Sequence, residues 1–355
     1  MVLAGVAADI ATNHALSANF ADSVLRPMIG NNNTIWVEGV YFSFLDWKDK
    51  VLSGVMPQTN YANEFNVTDG NIPEETQMQL QPITMKNFPL MSGENIWQPI
   101  NLTLFPRQVV MERTFVRPDP QRDYAVVTLV IMNMKKLRMA AVAGTREPAG
   151  GEGRPGPGVI PADIQAGNNL VAAFNGGFQE KDGHYGMIVG KQVYLPLLPN
   201  LATLVIDKND NLKIVNYMGQ DLGPDNLAIR QNGQMLVDHG QVMPQPTDNQ
   251  FKVWGRTTTR TMYTWRSGIG ITADGNLIYA VGPSLIPRTL AEALAAGGAV
   301  EAMQLDINPY WVRFVLFNPI GNSQYQHVSI QRNMYDGGKQ FLTGYQKDFF
   351  YVYKR

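Results

Sequence analysis

The chain has 355 residues, 45% of them hydrophobic and 17% charged, with a formal net charge of -1. That length can bury a substantial core, and so small a charge offers nucleic acid no long-range attraction. Cysteine is absent, which excludes disulfides, thiolate zinc sites and a cysteine nucleophile, and suits export to the cell surface or an extracellular space.

No apolar run reaches the length of a membrane span. Met1–Ile10 is apolar without a basic leading region and reads as a docking segment rather than a complete signal peptide. The sequons at Asn32, Asn66 and Asn101 matter only in a glycosylating pathway. With 33 glycines and 22 prolines, the composition favours a loop-rich, strand-heavy fold over a helical bundle.

Residues 1–120 read as a helical and loop-rich extension. Ala7–Ile29 is expected to hold one or two short helices that stop at Gly30-Asn31-Asn32-Asn33. Trp36–Leu45 (WVEGVYFSFL) reads as a strand, from its β-branched and aromatic content. Residues 53–106, rich in Pro, Asn, Gln and Met, read as ordered loops or a partner-facing surface, so self-association or assembly is expected through this extension.

From Arg122 the pattern becomes regular, and residues 121–355 read as the second domain. Strands are expected at Tyr124–Asn133, Leu137–Ala143, Asn169–Phe174, Met187–Val189, Val193–Leu195, Ala202–Asp207, Leu212–Val215 and Leu227–Val237. Gly268–Thr272 and Leu277–Val281 flank the turn Asp274-Gly275, a hairpin signal. A helix follows with Thr289 as its cap and Glu292 three residues on, ended by Gly297-Gly298. Val300–Leu305, Trp311–Phe317 and Phe349–Tyr353 complete the series. The sum is α+β, with a mixed, largely antiparallel β-sheet core and few short helices.

Several residues stand out chemically. Asn175-Gly176-Gly177 ends a buried strand, where glycine backbone is able to cradle an oxyanion or phosphate. His184 and His239 sit in polar turns, and a histidine there suits proton transfer near neutral pH. Arg230, Arg256, Arg260 and Arg266 precede or begin strands, the placement that suits bidentate recognition of phosphate or carboxylate. Asp306 closes an apolar run, where a carboxylate is usually paired or functional. Asp207–Asn211 opens like a calcium loop but has Leu212 where glycine is needed and Met218 where glutamate is needed, so it reads as a hairpin turn. No histidine pair has metal-ligand spacing, and neither metal nor cofactor is expected.

Phe174-Asn175-Gly176-Gly177-Phe178, then Arg266-Ser267-Gly268-Ile269-Gly270-Ile271, then the strand ending Gln304-Leu305-Asp306 resemble, in order and spacing, the motifs of the phosphodiester glycosidase domain family. The resemblance covers roughly residues 122–320. It implies hydrolysis of a sugar 1-phosphodiester, with a glycan or sugar phosphodiester as substrate. Arg266 and the amides of Gly176 and Gly177 would then hold phosphate, with Arg230 as a further substrate contact. Asp306 would be the acid/base or a sugar-hydroxyl ligand and Asn175 a positioning group, with His184 and Glu147 in reserve. The family's Gly-Gly-Gly-Ser after the aspartate is replaced here by Ile307-Asn308-Pro309-Tyr310-Trp311. Tyr310 and Trp311 are then expected either to stack on a sugar ring or to fill the site. The second alternative makes the chain a non-catalytic binding or assembly protein on the same fold.

Overall fold

The computed structural model describes residues 25–55, 61–65, 78–148, 155–244 and 263–355. Among the described residues, three antiparallel sheets form the body. The largest has eight strands, with Val127–Met132, Leu277–Leu285, Thr264–Thr272 and Ala299–Ile307 adjacent at its centre. One five-stranded sheet places Asn226–Gln231 between Met187–Val189 and Leu201–Asp207. The other places Leu170–Asn175 between Phe314–Gly321 and Phe349–Lys354. The expected α+β class with a largely antiparallel core is the one observed.

Two of the fully buried strands have almost continuously apolar sequences. Val127–Met132 and Leu170–Asn175 are buried along their whole length, each with a neighbour on both edges. Phe174 joins two sheets: its ring stacks on Phe314 at 5.8 Å and meets Tyr279 of the eight-stranded sheet at 5.1 Å. Burying each such ring contributes about 1.5–3 kcal/mol.

The hairpin at Asp274-Gly275 forms as its turn chemistry requires, with Gly275 at φ 79° and its N–H donating to Thr272 O. The next helix spans Pro287–Ala296 and buries Leu290, Ala291, Ala293 and Leu294 against the eight-stranded sheet. Its cap differs from expectation. The N-cap is Ile286, and Thr289 lies in the first turn, where its Oγ1 accepts the Ile286 N–H at 3.1 Å. Proline at the first helical position sets the start three residues earlier than the Thr/Glu pattern implied. The Asp207–Asn211 turn closes on the Asp207 carboxylate, which accepts from the amides of Asn209 and Asn211.

The N-terminal part corrects two readings. Trp36–Leu45 is no strand, because it lies inside the helix Asn31–Val55. Its aromatic and β-branched residues suggested period two, yet Val37, Val40, Phe44, Trp47 and Val51 are exposed together, three and four residues apart. Gly30, at φ 78°, separates this helix from Arg26–Ile29, while Asn31 to Asn33 continue the chain as helix rather than stopping it. The rest of the predicted Ala7–Ile29 helices, and Arg256 and Arg260, lie outside the described residues.

Candidate active site

The strand Leu170–Asn175 delivers Asn175 to the seam between two sheets. Its Oδ1 accepts from the Tyr279 hydroxyl at 2.9 Å and from Arg313 N at 3.1 Å. Its Nδ2 donates to Ser267 Oγ at 2.9 Å and Gly176 O at 3.1 Å. Those four bonds use the full capacity of the amide, so Asn175 positions the turn and has nothing left for a ligand.

The following glycines are needed for close approach. Gly176 N donates to Asp348 O at 3.0 Å, and Gly177 N donates to the Asp348 carboxylate at 3.1 Å. The amides expected to hold phosphate are thus occupied by Asp348. A Cβ on Gly176 would run into that carboxylate, and one on Gly177 would lie 2.7 Å from Arg230 Nη2. Gly176→Ala is therefore expected to cost about 1–3 kcal/mol of stability, from forced displacement of Asp348. Urea unfolding checks this, and an unchanged midpoint would mean that the turn yields freely.

Arg230 is fully buried and corrects a second expectation. Its Nε and Nη2 grip the two oxygens of Asp348 at 2.8 and 3.0 Å. Its remaining N–H groups donate to the carbonyls of Tyr185, Gln231 and Phe178. With all five donors used, Arg230 holds the fold together and cannot also bind a substrate.

Asp306 closes the strand Ala299–Ile307 and is 4% exposed. The turn and this strand are stitched directly, since Asp306 N donates to Gly176 O at 3.0 Å and Ser267 Oγ donates to Asp306 O at 2.9 Å. The Asp306 carboxylate accepts Ile307 N at 2.9 Å and pairs with the Lys347 ammonium. Burial pushes the Asp306 carboxyl up to about 6, against the pull of Lys347. Burial also works to lower Lys347, but the negative charges around it, Asp306 foremost, outweigh this and raise it. Glu147 belongs to the same group. It is half-buried, accepts Glu180 N at 3.0 Å, and is raised by burial against the opposing field of Lys347.

Trp311 supplies the wall. The Lys347 ammonium lies 4.6 Å from its ring centroid, and Tyr310 packs on it at 4.5 Å. Both rings are buried, so neither is the open stacking platform for a sugar that the sequence allowed. The turn that carries them keeps a left-handed residue, Asn308 at φ 87°, whose Oδ1 accepts Tyr310 N.

The remaining candidates divide. Arg266 is buried, donates to Leu285 O at 2.8 Å and Gln304 Oε1 at 3.2 Å, and is lowered by burial to about 9. It shares the seam with Asp306, its register partner being Ile307. His184 does not join the group. It is exposed at φ 54°, with Nδ1 3.5 Å from Glu180. His239 lies near the other end of the Asp306 strand, where Asp238, His239 and Glu301 bring one possible metal-ligand atom each within 4.8 Å of one another. Lys347 and Asp348, the pair on which this site turns, were missed from sequence. The available signal was two opposite charges set immediately before the apolar strand Phe349–Lys354.

Among solved structures the chain is similar to the catalytic domain of zebrafish N-acetylglucosamine-1-phosphodiester alpha-N-acetylglucosaminidase, auto-inhibited by its pro-peptide. Identity is 12% over 70% of this chain and 85% of that one, with a TM-score of 0.43. It is also similar to a hypothetical protein from Synechocystis, at 13% identity over 69% of this chain and 62% of that one, with a TM-score of 0.36. No curated protein matches the chain. A family match covers residues 168–306, ending at the aspartate after which the glycine motif is replaced. Over residues 168–306, from the Asn175-Gly176-Gly177 turn to Asp306, the chain matches the phosphodiester glycosidase family.

Proposed function

We propose that the protein hydrolyses glycosyl 1-phosphodiesters, with Asp306 and Lys347 as the working pair. The observation that carries this reading is the enclosed Asp306–Lys347 ion pair at the end of the family-matched stretch, with the Asp306 carboxyl near 6. In this reading water attacks the anomeric carbon and Asp306 takes its proton. The bond from that carbon to the phosphate oxygen breaks, and the phosphomonoester leaves with the electron pair. Lys347 meets the charge that develops on the leaving oxygen, its ammonium kept protonated by Asp306 foremost, with the half-buried Glu147 adding to the same field.

The pH dependence follows from the working form. Asp306 must be ionised to accept a proton, and its pKa is raised to about 6, so kcat/KM is expected to fall as pH drops through about 6. The Asp306→Asn protein is expected to show no such limb. The deciding assay is release of free sugar from a panel of glycosyl 1-phosphodiesters. A wild-type profile flat between pH 5 and pH 8 would remove Asp306 as the base.

A second reading has its own observation. Asp348 occupies both glycine amides, and Asp306, Tyr310 and Trp311 are all under 9% exposed, as befits a binding or assembly protein that no longer turns over. Absence of sugar release across the whole panel from folded protein would select it.

A further inference from the structure

A cavity of about 770 Å³ lies under the helix Asn31–Val55, beside the ends of the strands Thr264–Thr272 and Leu277–Leu285. Its volume is within the range of about 300–1,000 Å³ typical of small-ligand sites. Tyr124, Tyr263 and Trp265, all half-buried, present aromatic surface to it, and Asp46, Asp49 and Asp123 present carboxylates. Thr264 also lines it. This residue is 4% exposed, and its Oγ1 has no hydrogen-bond partner among the described residues. A hydroxyl taken out of water and left unpaired is costly, and this one is buried within the wall of a space of ligand size.

The charge around the cavity narrows the ligand. Of the two lining cations, Arg117 is held by Glu94 at 2.7 Å, and Lys48 lies within 4.0 Å of Asp49. Asp46 in turn lies 3.8 Å from Arg122, so the charge is largely paired within the wall and neither lining cation stands free for phosphate or another anion. Aromatic faces set among hydrogen-bond acceptors suit a ring with an apolar C–H face and hydroxyl edges.

We propose that this cavity is a saccharide-binding site for an uncharged sugar segment, with Trp265 as its stacking face and the Thr264 hydroxyl as its buried contact. It adjoins the candidate active site, because Thr264 and Trp265 immediately precede Arg266 and Trp265 O accepts Asn308 N at 3.0 Å. A glycan held here would lie beside the Asp306 end of the seam without passing its phosphate through a carboxylate-lined space. Binding does not depend on turnover, so this proposal stands or falls separately from the hydrolysis.

The test is calorimetric titration of the full chain with maltotriose, cellotriose, mannotriose and tri-N-acetylchitotriose, with glucose 1-phosphate as the anionic control. At least one neutral trisaccharide is expected to bind, and more tightly than the control. Thr264→Val is expected to weaken that binding about fivefold, with melting temperature unchanged or raised, since it removes an unsatisfied group. Trp265→Ala is expected to weaken it at least about tenfold, and Trp265→Phe less, which keeps the test valid if the alanine variant unfolds. No binding of any neutral trisaccharide, preference for glucose 1-phosphate, or wild-type affinity in both Thr264→Val and Trp265→Phe would overturn the site.

Discussion

Asp306→Asn is expected to lower sugar release by about 10²–10⁴-fold, the usual worth of a positioned general base. The same change leaves the Lys347 ammonium buried without its carboxylate, which is expected to cost about 3–5 kcal/mol of stability. The two effects are separable. Asp306→Leu combined with Lys347→Met removes both charges, and such swaps are often close to neutral for stability. The double variant should therefore recover most of the melting temperature while remaining inactive. If it recovers both, the ion pair is structural and another group does the chemistry. If Asp306→Asn keeps wild-type sugar release, the proposed mechanism is wrong.

Asp348→Ala is expected to cost about 3–5 kcal/mol of stability, because it strands the guanidinium of Arg230. Arg230 has no exposed surface, and Asp348 receives two of its five hydrogen bonds. The Asp348 carboxylate also accepts the Gly177 amide, so its loss loosens the turn that meets Asp306. Arg230→Met alone leaves the carboxylate uncompensated and is expected to cost a similar amount. The double variant Arg230→Met with Asp348→Leu should lose much less than the sum of the single changes, the signature of direct coupling. Urea denaturation of the four proteins measures this cycle. A loss below about 1 kcal/mol in Asp348→Ala would show that water reaches the pair and screens it.

The parts of this fold that were legible in the sequence are those whose cause is local. The Asp274-Gly275 turn, the buried run of Val127–Met132 and the apolar strand before Asn175 are each specified within a few residues. The helix Asn31–Val55 was misread because aromatic and β-branched residues favour strands on average, whereas its exposed apolar residues follow the period of a helix. Asn175, Gly176, Gly177, Arg266 and Asp306, which stand out in the sequence, lie along one seam. The roles expected of the glycine amides and of Arg230 were not the ones observed. Nothing near Gly177 announces that its amide will be taken by Asp348, 171 residues away, or that Arg230 will meet the same carboxylate across 118 residues.

By itself, then, the sequence determined the strand-rich α+β class, the family likeness of residues 168–306, and the motifs that meet at the seam. Hydrophobic runs, turn residues and motif order are properties of short stretches and survive without knowledge of what packs on them. Only the tertiary structure decided which charge pairs with which: Arg230 with Asp348, and Lys347 with Asp306 beneath Trp311. The physical reason is desolvation. An exposed charge is satisfied by water wherever it stands, but a buried one must find its partner among the groups that sheet packing brings beside it, and those groups lie far away in the chain.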